Sequence, residues 1–177
     1  MYAEVLDGEL YLTPRPRPRH ARAAGELFGE LRGPFDHGRG GPGGWTFLYE
    51  PELHLGRRPD IVDPDIAGWR AGRLPADVFS DEAPAAISVA PDWVCEVLSD
   101  STEAIDRGKK RRIYRRESVG HYWLVDPREK LVEVYRLEGG RWVEVGEYEG
   151  DAVVRAEPFD AIELDLSLLW RRPARDP

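Results

Sequence analysis

The chain has 177 residues and a formal net charge of -8. That length suits one domain with a sizeable core, residues 1–177, and a hydrophobic share of 41% is typical of a globular chain. The acidic balance argues against a protein that coats nucleic acid with its whole surface, and no apolar run is long enough to cross a bilayer. Cys95 is the one cysteine, which excludes a disulfide framework. A lone cysteine and a start without a signal-peptide pattern together predict a cytoplasmic protein.

The first third of the chain predicts a hairpin followed by a helix. Two alternating runs flank Asp7-Gly8, a strong hairpin signal. The basic stretch "RPRPRHAR" (15–22) follows, and its prolines cannot continue a sheet. Residues 20–33 then carry one apolar stripe at helical spacing, and Gly33-Pro34 is expected to end that helix. The stripe consists of Ala24, Leu27, Phe28 and Leu31.

The middle of the chain predicts strands joined by loops. Residues 36–44 are rich in glycine and are expected to form a loop, whereas 45–55 predicts a strand. A second extended segment covers 60–69 and is broken by Pro64. Residues 71–90 show no clear period and predict a long surface connection.

The second half predicts strand, helix, strand and a final hairpin. A buried strand is expected over 92–98, and a helix over 106–118 with Asp106 as its N-cap. A strand over 121–127 and an alternating hairpin around Gly139-Gly140 follow. The tail "DAIELDLSLLW" supplies a last strand or short helix. These elements predict an α/β (α+β mixed) domain: a mixed β-sheet flanked by helices, with hairpins at both ends.

Glu96 lies inside the apolar strand "WVCEVL" and raises the first question of chemistry. Since alternate side chains of a strand share a face, Glu96 points the same way as Val94 and Leu98. A carboxylate in such surroundings is costly unless it is compensated. It is either a structural ion-pair partner or a ligand, and the strand alone leaves both open.

Two other residues could act together with Glu96. Asp65 follows Pro64 at the start of an extended segment, although Asp60 is a rival and either could be a turn residue. On the helix, Lys110 shares the stripe of Ile113 and Tyr114 and is therefore the basic residue best placed to face inward. Its side chain either snorkels along the core edge or reaches the carboxylates.

Two carboxylates and a lysine suit hydrolysis of a phosphodiester. Mg²⁺ prefers carboxylate oxygens and retains water ligands, and it neutralises phosphoryl charge. The four histidines lack zinc-ligand spacing, "GRGGPGG" lacks the end of a phosphate-binding loop, and Cys95 points away from Glu96. Zinc, nucleotide-loop and thiol chemistry are therefore disfavoured.

The chain resembles the Uma-type restriction endonuclease family, which has the PD-(D/E)XK nuclease fold. The resemblance rests on blocks in a specific order that cover most of the chain. They are "PDIAGW" (64–69), "PDWVCEVLSDST" (91–102), "DRGKKRRIY" (106–114), "GHYWLVDP" (120–127), "LVEVYRLEGG" (131–140) and "EPFDAIELDLSLLW" (157–170).

The resemblance implies a restriction endonuclease-like core with a catalytic site that binds Mg²⁺ or Mn²⁺. By position it makes Asp65 and Glu96 the metal-binding acids, and it favours Asp65 over Asp60. The usual pattern has a lysine two residues after the second acid, but Leu98 stands there, so the role passes to Lys110 on the next helix. Glu52 is a further candidate acid.

The resemblance also implies DNA as substrate and, from related nucleases, a homodimer. The helix carries seven Lys or Arg in ten positions over 107–116, which is either a solvated charged face or a DNA-backbone contact. The candidate contacts are Arg107, Lys109, Arg111 and Arg112. The competing hypothesis is a non-catalytic binding or assembly protein that keeps the nuclease fold, with Glu96 and Lys110 as a buried ion pair.

Overall fold

The computed structural model describes residues 1–171, and its secondary structure is mostly strand. In chain order the strands are β1 (Tyr2–Leu6), β2 (Glu9–Thr13), β3 (Trp45–Tyr49), β4 (Leu53–Leu55), β5 (Asp60–Val62), β6 (Ile66–Arg70), β7 (Trp93–Val97), β8 (His121–Asp126), β9 (Leu131–Glu138), β10 (Arg141–Glu149), β11 (Val153–Val154) and β12 (Leu164–Asp165). The α-helices are α1 (Pro18–Leu31), α2 (Glu103–Ile105), α3 (Arg111–Arg116) and α4 (Ser167–Trp170). π-helical turns at Arg32–Asp36 and Asp106–Lys110 extend α1 and join α2 to α3.

The strands form a large mixed sheet and two smaller ones. The large sheet has the order β10-β9-β8-β7-β6-β3, in which β7 and β8 run parallel and every other neighbouring pair is antiparallel. A four-stranded sheet has the order β2-β1-β5-β4, and β11 pairs with β12. The expected mixed α/β architecture is confirmed, and so are the two hairpins, at β1–β2 and β9–β10.

Hydrophobic clusters cover both faces of the large sheet. On one face, Trp93, Cys95 and Val97 of β7 pack with the buried stripe of α1. On the other face, Val94 and Leu98 pack in a cluster that includes residues of α3 and of the four-stranded sheet. The predicted alternation of side chains along β7 is therefore confirmed, and Glu96 belongs to the face covered by α3.

Two predicted boundaries near the N-terminus are wrong. The single strand expected over 45–55 is two strands in different sheets, because the chain turns at Glu50, whose φ is 47°. The helix expected to end at Gly33-Pro34 continues as a π-helical turn to Asp36. The missing amide hydrogen of proline costs little there, since the wider turn already changes the hydrogen-bond pattern.

The helix expected over 106–118 starts earlier and ends earlier. Helical winding begins at Glu103, and the Asp106 amide already donates to the Thr102 carbonyl at 2.9 Å. Asp106 is thus inside the helical segment and buried, so its assignment as an N-cap is wrong. The winding ends at Arg116, and Ser118 turns the chain with a φ of 61°. Within residues 1–171, no helix combines the length and apolarity needed to cross a membrane.

Candidate active site

The pairing of β6 with β7 brings Asp65 to the level of Glu96. These strands are antiparallel with Ile66 opposite Cys95, so one further step of the register sets Asp65 across from Glu96. The Asp65 carboxylate is anchored there, because its Oδ2 accepts a hydrogen bond from the Val97 amide at 2.7 Å. The predicted pairing of the two acids in space thus follows from strand register.

Lys110 reaches Glu96 from the helical segment that covers this face of the sheet. The Lys110 ammonium lies 3.0 Å from Glu96 Oε1, and the Tyr114 hydroxyl donates to the same oxygen at 2.6 Å. Lys110 and Tyr114 are four residues apart and therefore project from one side of the helix. The lysine faces inward, as its place on the apolar stripe predicts, and only 4% of its surface is exposed.

Two further carboxylates complete the surroundings of the lysine. Lys110 Nζ lies 2.9 Å from Glu4 Oε1 and 3.4 Å from Asp106 Oδ1. Glu4 comes from β1, and its Oε1 also accepts a hydrogen bond from the Asp63 amide at 3.0 Å. One buried ammonium thus faces three buried carboxylates, which we call the acid cluster: Glu4, Glu96 and Asp106.

Burial and like charge make Glu96 and Asp106 hard to ionise. Burial raises the pKa of Glu96 well above its usual range, against the opposing attraction of Lys110 and with the help of the negative charge of Asp106. Burial likewise raises the pKa of Asp106 to about 6. Burial alone would lower the pKa of Lys110, but the surrounding carboxylates outweigh it and hold that pKa well above its usual range. The lysine therefore stays charged, whereas burial opposes the ionisation of Glu96 and Asp106.

A cavity of about 540 Å³ opens beside these groups. Its wall includes Asp65, Glu96, Lys110 and two of the other acids, Glu4 and Asp106. The three residues predicted to carry chemistry therefore share one accessible space, which is large enough for a phosphate group and several waters.

The donor chemistry of this wall fits a hard divalent cation. Asp63 Oδ1 is buried without a hydrogen-bond partner among residues 1–171, and burial raises the pKa of Asp63 to about 6. Asp106 Oδ1 is buried too, and its contact with Lys110 Nζ at 3.4 Å is an ion pair without hydrogen-bond geometry. Within the same residues, no three His, Cys, Asp or Glu side chains converge as a ready-made metal cage. Mg²⁺ commonly takes only one or two protein carboxylates and keeps its waters, so Asp65 and Glu96 match its needs.

Two rival acids lie outside the cavity. The Glu52 side chain is half exposed and meets His54 at 2.8 Å. Asp60 forms an ion pair with Arg116 and accepts a hydrogen bond from the Asp7 amide at 2.6 Å. Neither residue lines the cavity wall. The geometry therefore favours Asp65 over Asp60 as the acid that accompanies Glu96, and Glu52 lies outside the site.

The basic residues predicted to contact DNA are mostly engaged within the protein. Arg107 bonds Glu133 at 2.6 Å and Glu103 at 2.9 Å, while Lys109 pairs with Glu9. The Arg111 guanidinium lies 4.5 Å from the centre of the Tyr135 ring, and Arg112 is exposed. None of the four lines the cavity, and their contact with DNA stays a prediction. The remaining arginines of the helix are Arg115, which is exposed, and Arg116.

Sequence reasoning missed four residues of this site. Glu4, Asp106 and Tyr114 contact Lys110 or Glu96, and His20 Nε2 lies 3.3 Å from Asp65 Oδ2. Spacing could have found two of them, because Asp106 and Tyr114 each lie four residues from Lys110. The place of Glu4 on the buried face of β1, two residues before Leu6, was a weaker signal. Nothing in the sequence pointed to His20.

A family model described as "Putative restriction endonuclease", Uma2, matches residues 2–168. The chain belongs to this family. The resemblance inferred from the sequence blocks is therefore confirmed. A search of curated proteins gives no match.

A solved structure shares the fold of this Uma2 member. It is the crystal structure, at 1.96 Å resolution, of a putative nuclease belonging to DUF820 from Anabaena variabilis ATCC 29413. The two chains superpose with a TM-score of 0.74 over 95% of this chain and 89% of the other, at 22% sequence identity. The expected restriction endonuclease-like fold is confirmed by this likeness.

Proposed function

We propose that this Uma2 protein is a metal-dependent nuclease that hydrolyses DNA phosphodiester bonds. The observation that carries the proposal is the shared cavity: Asp65, Glu96 and Lys110 come from three separate elements and line one open space. Membership of a family described as restriction endonucleases supports the reaction class. The proposed substrate group is a phosphodiester that enters the cavity beside the acid cluster.

In this proposal Asp65 and Glu96 hold Mg²⁺ or Mn²⁺. The bound ion would supply an acidified water and neutralise charge on the phosphoryl group. Asp65 is held in place through Oδ2 by the Val97 amide, and Glu96 is held through Oε1 by Lys110 and Tyr114. Both carboxylates are thus oriented by hydrogen bonds through one oxygen, which leaves the second oxygen of each for the ion.

Lys110 supplies the positive charge that the missing strand lysine would have supplied. Its ammonium can donate to the attacking water or to a phosphoryl oxygen, and carboxylates keep it protonated. Leu98, at the usual lysine position, is buried in the apolar cluster under α3. The proposal further includes a homodimer that cuts both strands.

Plasmid nicking tests the catalytic roles. Wild type with Mg²⁺ or Mn²⁺ should convert supercoiled plasmid to open circles, and Glu96→Gln and Lys110→Met should each slow nicking by about 100-fold or more. Glu52→Gln and Lys130→Met are matched controls that remove the same charge from exposed positions, and both should cut like wild type. Intact plasmid across metals and salt concentrations, or full activity in Glu96→Gln and Lys110→Met, would refute the proposal.

A non-catalytic binding or assembly role is the second candidate. It is favoured by the ion pairs themselves, because Lys110 already contacts three carboxylates and no three-ligand metal cage exists within residues 1–171. The two candidates differ in their response to metal. Calorimetric titration with Mn²⁺ separates them. If the nuclease proposal is correct, wild type should bind Mn²⁺ and Glu96→Gln should not; if the second candidate is correct, neither protein should bind it.

A further inference from the structure

We propose that the arginines of the "PRPRPR" segment (14–19) are the main contact for the DNA backbone, in place of the more basic helix. This inference rests on the proposed function, because it names the surface through which the same cavity receives its substrate. Arg15, Arg17 and Arg19 are the residues concerned, and we call them the arginine rim.

The arginine rim borders the cavity that holds the acids. All three arginines line its wall together with Asp65, Glu96 and Lys110. A phosphodiester bound beside the acids would therefore share its cavity with these arginines. Arginine matches the planar, two-oxygen geometry of phosphate better than lysine does.

The charges of the arginine rim are available. All three arginines are exposed, and within residues 1–171 none of them forms an ion pair, although the Arg15 guanidinium lies 5.9 Å from the centre of the Tyr2 ring. Asp100 forms an ion pair with Arg128 at 2.7 Å. This bond lowers the pKa of Asp100, and the positive charges of Arg17 and Arg19 lower it further. Asp100 is thus already paired with Arg128, and a phosphate would not need to displace it from the arginine rim.

Prolines restrict the backbone of the arginine rim, in which Arg15 and Arg17 precede α1 and Arg19 lies in its first turn. Pro14, Pro16 and Pro18 alternate with the arginines, and Arg17 has φ -71° and ψ 157°, as in a polyproline helix. Fixed proline dihedrals lower the conformational entropy that binding must remove. The helix over 107–116 offers less free charge than its seven basic residues suggest, because Arg107, Lys109 and Arg116 are bonded to acids on other elements. Lys110 is buried among the acids, and only Arg112 and Arg115 are both exposed and without an ion pair within residues 1–171.

Fluorescence anisotropy with a short fluorescein-labelled DNA duplex in EDTA tests this inference without cleavage. The variant Arg15→Gln/Arg17→Gln/Arg19→Gln should bind at least about tenfold more weakly than wild type, with a salt slope smaller by about 2 to 3. The matched control is Lys109→Gln/Arg112→Gln/Arg115→Gln, which removes the same three charges and should change affinity less than threefold. Circular dichroism melts check that both variants fold.

The outcomes separate this inference from the nuclease proposal. Equal losses in the two variants, a larger loss in the helix variant, or no binding by wild type at low salt would overturn the arginine rim as the main contact. Wild type that binds through the rim but never nicks plasmid would refute the nuclease proposal and leave the rim standing.

Discussion

Replacing Asp106 with asparagine should stabilise the protein at neutral pH, although Asp106 contacts the only buried lysine of the site. Asp106 is 2% exposed, and its pKa rises from 3.8 to about 6 on folding. A tenfold change in an acid dissociation constant corresponds to about 1.4 kcal/mol, so holding the ionised acid in the fold costs about 3 kcal/mol. Asparagine resembles the protonated acid in size and carries no charge, and Lys110 keeps Glu4 and Glu96 as partners.

The sign of the pH dependence follows from proton linkage. Between pH 3.8 and 6 the folded protein binds more protons at Asp106 than the unfolded chain does, so stability falls as pH rises through this window. Above pH 6 the ionised Asp106 lowers the free energy of unfolding by the full amount, and below pH 3.8 this destabilisation vanishes because the acid is protonated in both states. The free energy of unfolding of Asp106→Asn should therefore exceed that of wild type by about 3 kcal/mol at about pH 8, and the two should be equal near about pH 3.5.

Urea denaturation followed by tryptophan fluorescence measures this difference. At about pH 8 the Asp106→Asn midpoint should lie about 1 to 3 M of urea above that of wild type, from slopes typical of small proteins. Asp151→Asn, at an exposed turn, is the control and should leave the midpoint unchanged. An Asp106→Asn protein that is less stable than wild type at this pH, or a difference independent of pH, would refute the reasoning.

Two further variants test the packing of the site and of the sheet. Lys110→Met should lose about 3 to 5 kcal/mol of unfolding free energy at about pH 7, because it leaves three buried carboxylates without their cation. In urea melts this loss should shrink toward about pH 4, where the carboxylates become protonated. Gly68→Ala should lose about 1 to 3 kcal/mol in the same assay, because a Cβ would lie 2.9 Å from the Phe47 ring, and an unchanged midpoint would contradict the tight packing of β3 on β6.

The parts of the site that the sequence predicted depend on local periodicity. Alternation along β7 set the face of Glu96, and helical spacing turned Lys110 inward, so both positions followed from their immediate neighbours. The same holds for the two hairpins, whose turns carry Asp7-Gly8 and Gly139-Gly140 with positive φ. The sequence therefore predicted the features that depend on residues within about four positions along the chain.

The parts that could not be predicted depend on contacts between distant segments. Glu4 meets Lys110 from far along the chain only because β1 joins the four-stranded sheet beside β5. The engagement of Arg107 by Glu133 likewise requires β9 to lie under the helix. Sequence reasoning saw seven basic residues on and beside one helix, but it could not see which carboxylates other strands would bring to them.

The composition of the acid cluster supports a chemical rather than a stabilising role. A buried ion network generally stabilises a fold no better than apolar side chains of the same volume, because desolvation offsets the attraction. Here three carboxylates surround one ammonium, and Asp65 adds a fourth acid on the same cavity wall. Burial raises the pKa of Glu96 and of Asp106, and the neighbouring carboxylates add to that shift. An excess of buried carboxylates over cations goes beyond a simple Glu96–Lys110 pair, and it agrees with the proposed binding of a divalent cation at this wall.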